Sequence, residues 1–143
     1  MKSIEIPADK ARLTEVLDFV LDYAGQLGFG KKELFQLKVC TEEIFVNVAS
    51  YAYAPDTGSI TVTADGSVDP LTVTLSFIDS GTPFDPLSKP DPDKNRSFSQ
   101  AKKGGLGIFI TKRMMDEVSY AYEDGRNILT IRKTISPTEN AHE

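Results

Sequence analysis

The spacing of apolar residues changes from helical to extended about two-fifths of the way along this chain of 143 residues, and that switch limits the folds open to it. From Asp9, DKARLTEVLDFVLDYAGQLG places Leu13, Val16, Leu17, Val20, Leu21 and Ala24 three and four residues apart. That is the stripe of an amphipathic helix, with an acidic cap at its start and Gly28 at its end. A second helix is expected from Lys31 through Ala52, with Leu34, Leu37, Cys40, Ile44 and Val48 on related faces, ending before Pro55. Beyond it, SITVTADG and LTVTLSFIDSG are β-branched and alternate with period two. The turn-rich residues 65–70 between them predict a hairpin.

The remaining segments complete the order. SIEIPA reads as a short first strand over residues 2–6. GGLGIFITKRMMDEV restores helical spacing, and SYAYEDGRNILTIRKTI reads as a closing hairpin turning near residues 124–126. Between them and the first hairpin, residues 82–103 are rich in proline and lack periodicity, which predicts a long loop of the kind that often carries function. The order strand, two helices, two strands, loop, helix, two strands fits an α/β two-layer sandwich. Its sheet is mixed and largely antiparallel, with helices on one face. Strict strand–helix alternation is missing, so a doubly wound fold fits poorly. Residues 1–136 are expected to form one domain and residues 137–143 a fraying tail.

Composition narrows the class. The net charge of −5 and pI near 4.9 argue against a duplex nucleic-acid binder, which presents a strongly basic face. No apolar run approaches membrane-spanning length and no secretory pattern follows Met1, so a cytoplasmic protein without membrane contact is expected. The single cysteine, Cys40, reads as a buried inert thiol. His142 stands alone in a polar tail with no ligand set around it for zinc.

Three segments carry polar residues where chemistry is conceivable. Glu43 and Asn47 share one helical face four residues apart, and Asn47 interrupts the densest apolar run. The pair suits a helix–helix hydrogen bond as readily as a site in which Asn47 ligates Mg²⁺ and Glu43 deprotonates a nucleophile. In FIDSGTPFDP, Asp79 ends a hydrophobic strand and Gly81 follows. The two are either turn formers or an acceptor for an exocyclic amine with space for a planar base. In KKGGLGIFITKRM, Gly104, Gly105 and Gly107 open a helix behind Lys102 and Lys103. That suits a hinge or a phosphate-binding helix start, but it matches neither the P-loop nor the Rossmann fingerprint.

Taken in order, these segments resemble the GHKL ATPase superfamily, the Bergerat fold, and within it the small anti-sigma-factor serine/threonine kinases. EIFVN resembles the family's Glu-x-x-x-Asn box, DSG its Asp-x-Gly box, and GGLGIFITKRMMDEV its second glycine box. The resemblance spans residues 4–133. It implies ATP and Mg²⁺ as cofactors, Glu43 as general base towards a protein serine, and Asn47 as Mg²⁺ ligand. It implies that Asp79 reads the adenine amino group with Gly81 beneath the ring. Gly105 and Gly107 would wrap the phosphates, with Lys103 and Gly104 beside them. Asn127 in GRNILTI would support Asp79, and Tyr51 in YAY would line the site. The implied activity is ATP-dependent phosphorylation of a small anti-sigma-factor antagonist, with a sigma factor as alternative partner and a homodimer as assembly. The alternative is an ATP-binding interaction switch without kinase activity. No histidine-bearing dimerisation helix precedes the domain, and the chain is shorter than chaperone, gyrase or mismatch-repair members.

Overall fold

The first helical stripe resolves into two pieces because its cap acts early. The computed structural model describes residues 1–88 and 106–135. After strand β1 (Lys2–Pro7), Asp9 accepts the Ala11 N–H at 2.9 Å and starts a short 3-10 turn, Lys10–Arg12. Helix α1 (Leu13–Leu27) follows and stops at Gly28, whose N–H reaches the carbonyls of Ala24 and Gly25 and whose φ of 118° turns the Phe29 N–H back to the Ala24 carbonyl at 3.2 Å. Helix α2 (Lys31–Asn47) continues into a π-helical turn, Val48–Ala52, so the helix expected through Ala52 widens over its last five residues.

Strands β2 (Ser59–Val68) and β3 (Leu71–Asp79) pair directly through the two residues Asp69 and Pro70, a tighter connection than the 65–70 turn expected. Helix α3 (Leu106–Met114) ends earlier than its sequence pattern suggests. Asp116 donates its N–H to the Arg132 carbonyl and accepts the Thr134 N–H on Oδ2, and the Lys133 ammonium caps the Met114 carbonyl at 2.7 Å. Glu117 and Val118 therefore open β4 (Glu117–Glu123) instead of extending the helix. Strand β5 (Arg126–Ile135) returns through Asp124 and Gly125, both at positive φ, the backbone that a tight two-residue hairpin requires.

The five strands lie in the order β1-β2-β3-β5-β4, and every pairing among the described residues is antiparallel. Alternation then decides the layers. Ile60, Val62, Ala64, Leu71, Val73, Leu75, Phe77 and Ile131 are buried against Val16, Val20 and Ala24 of α1 and Leu37, Cys40, Ile44 and Phe45 of α2. The other face carries a hydroxyl-rich set in which Ser76 bonds Thr130 at 3.0 Å and Thr72 bonds Thr134 at 3.2 Å. The expected α/β two-layer sandwich with helices on one face is therefore the fold observed. Among the described residues no helix is long and apolar enough to cross a membrane.

Cys40 joins α2 to α3, with its Sγ 4.0 Å from the Met114 sulfur. Burial is the main cause that pushes its thiol up to about 11, against the Thr111 hydrogen bond and the Lys133 charge, which pull the other way. This is the inert, buried thiol that the helical pattern predicts.

Two outcomes follow from this packing. Phe45→Ala should cost about 3–5 kcal/mol in urea unfolding, whereas Phe35→Ala, on the same helix but 58% exposed, should stay within about 0.5 kcal/mol. The Cys40 thiol in the unfolded chain, at about 9, ionises before the folded one at about 11. Its contribution is therefore complete below pH 9 and is lost as pH rises through 11. Wild type should lose up to about 1.4 kcal/mol per pH unit more than Cys40→Val across that window.

Candidate functional site

The register of β3 and β5 places Asp79 opposite Asn127, at the end of the sheet where α2 also terminates. Both side chains point to the helical side and both are buried, at 7% and 6% exposure. Buried polar groups need partners, and this pair finds them in the loop after β3. Asp79 Oδ1 accepts the Gly81 N–H at 2.9 Å and the Asn127 Nδ2 at 3.0 Å. Asn127 Nδ2 also donates to the Thr82 carbonyl at 3.0 Å and lies 3.5 Å from that of Gly81. Asn127 Oδ1 accepts the Phe84 N–H at 3.1 Å and the Tyr120 hydroxyl. Burial is the first cause that raises the Tyr120 hydroxyl above the ordinary phenol range, so it is a stable donor at neutral pH. The two bonds to Asp79 both fall on Oδ1 and involve no contact at Oδ2.

The π-helical turn fastens this loop from the helical layer. The Ala52 carbonyl accepts the Thr82 N–H at 2.9 Å, and Tyr53 Oη accepts the Ser80 N–H at 2.8 Å while donating to the Ser59 carbonyl at 2.6 Å. The approach is close: a Cβ on Gly81 would lie 2.2 Å from the Ala52 oxygen. The glycine is therefore demanded by protein backbone at this point, whatever a ligand adds.

Between these elements lies a cavity of about 650 Å³. Ile44, Val48, Phe77 and Leu129 supply apolar wall, and Asp79 and Asn127 supply a polar edge. Size and character suit a nucleoside-like ligand. Asn47, exposed at the end of α2, and Tyr51, 68% exposed in the π-helical turn, also line it. Glu43, one turn before Asn47, is half-buried and is not among the lining residues; its charge acts on Cys40. Gly107 lies in the first turn of α3. Lys103, Gly104 and Gly105 lie outside the described residues. Tyr120, Tyr53 and Phe84 belong to the site without having been singled out from sequence. Their only signal there is an aromatic residue beside a strand end or turn.

Among the described residues no cluster of three or more His, Cys, Asp or Glu side chains could hold a metal. A lone amide oxygen such as that of Asn47 fits Mg²⁺ only where the ligand's own phosphates complete the shell, which is the usual mode for that ion.

Known proteins agree with this fold. Residues 6–133 match the family model described as histidine kinase-like ATPase domain. The chain belongs to that family. Among curated relatives it is similar to the serine-protein kinase RsbW of Bacillus cereus (strain B4264), 27% identical over 131 residues, covering 88% of this chain and 80% of the relative. It is also similar to the serine/threonine-protein kinase BtrW of Bordetella bronchiseptica, 26% identical over 136 residues and 94% of each chain. A chain in the crystal structure of the SiaB–SiaC complex from Pseudomonas aeruginosa shares the fold, with a TM-score of 0.50 at 14% identity over 94% of this chain and 90% of that one.

Replacing Gly81 tests the contact between loop and π-helical turn. Gly81→Ala should cost about 1–3 kcal/mol in urea unfolding, because its Cβ meets backbone that cannot rotate away. Ser80→Ala, at an exposed neighbour, should be near neutral.

Proposed function

We propose that this protein binds ATP with Mg²⁺ and transfers the terminal phosphoryl group to a serine of a small anti-sigma-factor antagonist, while sequestering a sigma factor in the alternative complex. The observation that carries the reading is the buried Asp79 carboxyl. One of its oxygens is saturated by Gly81 and Asn127, and the residue lines an apolar cavity of nucleoside size. The likeness to RsbW and BtrW, both named as protein kinases, supports the reaction class.

In this reading Asp79 Oδ2 accepts the exocyclic amine of adenine, with Asn127 holding the carboxyl in place. Ile44, Val48, Phe77 and Leu129 exclude water from the base, and Tyr51 shields its outer side. Asn47, four residues beyond Glu43, contributes an oxygen to Mg²⁺ at the phosphate end. The glycines 104, 105 and 107, with Lys103, offer backbone N–H groups and charge to the phosphates. Bound Mg²⁺ offsets charge on the phosphates. Glu43 accepts the proton of the attacking serine hydroxyl. The reading includes a homodimer and leaves no role for nucleic acid or membrane.

A second reading keeps the nucleotide and drops the transfer: an ATP-dependent interaction switch. Phosphoserine analysis by mass spectrometry separates the two. Purified protein, Mg-ATP and the antagonist should yield phosphoserine. Glu43→Ala should lower the rate by about 10²–10⁴-fold while ATP affinity by calorimetry changes little. Undiminished transfer in that variant would remove Glu43 from the mechanism, and no transfer in wild type would leave the switch.

A further inference from the structure

Residues three and four positions apart are neighbours on a helix surface, so the first turns of α2 surround one aromatic ring with cations. Phe35 is 58% exposed, and Lys31, Lys32 and Lys38, at three- and four-residue spacings from it, are exposed as well. Fold stability accounts for neither feature. An exposed phenyl ring gains little from the core, and lysines in a first helical turn lie against the positive end of the helix dipole, where acidic residues are favoured. The acidic residue of that turn, Glu33, is buried instead of exposed beside them.

The lysines also have no ionic partner inside the molecule. The ion pairs among the described residues join Arg12 to Glu15 and Arg132 to Glu117, and Arg113 is the cation that stacks on a ring, that of Phe109. Lys31, Lys32 and Lys38 enter none of these contacts, although α1, packed beside α2, exposes Glu15, Asp18 and Asp22. Val39, one turn beyond Phe35 and partly exposed, extends the apolar surface. Glu42 follows, where the charge reverses and the basic face ends.

We propose that this face of α2, from Lys31 to Val39, docks a short acidic segment of another protein, with an apolar side chain of that segment covering Phe35 and its carboxylates meeting the lysines. An aromatic centre with charges at its rim is how protein interfaces concentrate affinity and then select a partner by charge. A long polyanion fits less well. The whole chain carries a net charge of −5, which repels a nucleic acid or an anionic bilayer at long range. Three lysines also fall short of the clusters of about four to eight that hold proteins to anionic membranes. A short segment meets only the local field, which is positive at this helix end. None of these residues lines the cavity, so the inference goes beyond the nucleotide site and its test needs no nucleotide.

A displayed library of random linear peptides, panned on wild type and counter-panned on Phe35→Ala, supplies the probe. Enriched peptides should be acidic, with an aromatic or aliphatic residue among the carboxylates. Fluorescence anisotropy with the tightest of them should show about 10-fold weaker binding to Phe35→Ala. Lys31→Gln/Lys38→Gln should bind it about 5-fold more weakly. Raising NaCl from about 50 mM to about 300 mM should narrow the loss in the lysine variant and leave the Phe35→Ala ratio intact. If Phe35→Ala does not fold, the lysine variant serves for both counter-panning and comparison. Enrichment of neutral or basic peptides, no enrichment, or equal affinity for wild type and folded variants overturns the proposal. So does Phe35-dependent binding of phosphatidylglycerol vesicles or single-stranded DNA in place of acidic peptides.

Discussion

The hydrogen bond between Asn127 and Asp79 joins three parts of the molecule at one end of the sheet. It ties the end of β3 to the start of β5, and through Thr82 and Phe84 it ties both strands to the loop that rims the cavity. A one-residue slip of β5 against β3 would send Asn127 to the outer face and leave Asp79 buried without its partner. Register, burial and polar satisfaction therefore select the same pairing. The cavity depends on that agreement, since Phe77 and Leu129, the next inward pair, form its floor in the same register.

The helical layer is joined to this strand end by a local irregularity. An unbroken α-helix ending at Ala52 would also leave its carbonyl without an intrahelical partner, but would direct it along the helix axis. The wider π-helical turn instead presents the Ala52 carbonyl to the Thr82 N–H and brings its backbone against Gly81. Tyr53 braces the same loop from the other side through Ser80. Helix end and loop are thus fitted backbone to backbone, while Asn47 and Tyr51 remain exposed beside the cavity.

Much of this was legible from sequence because it is local. The α1 stripe with its Asp9 and Gly28 ends, the alternation of β2 and β3, and the Asp124–Gly125 turn all follow from neighbours in the chain. So does the placement of Asp79 and Asn127 at strand ends. Other features are tertiary. Tyr120 meets Asn127 only because β4 and β5 pair, and nothing in SYAYE distinguishes it from Tyr122, which is exposed. Gly81 was legible as a turn former or as space for a planar base, but its close neighbour is Ala52, twenty-nine positions away in the chain. The helical pattern of GGLGIFITKRMMDEV overran into β4, because apolar spacing cannot register that Asp116 and Lys133 end the helix from outside it.

The loop that rims the cavity also shows why so small a domain can hold a polar edge inside an apolar pocket. Between Ser80 and Phe84 the backbone runs through partly exposed positions, where water would satisfy its N–H groups at little cost. Each of those groups is instead matched to a named protein acceptor, and the acceptors come from four separate elements: the α2 turn, β3, β5 and the segment leading into β2. That arrangement exceeds what holding a loop in place requires. It fixes the Asp79 carboxyl at the cavity edge through the bonds to Oδ1, so that this group is already positioned before anything binds there. Preorganisation of this kind is the physical link between the antiparallel register and any selectivity the cavity has.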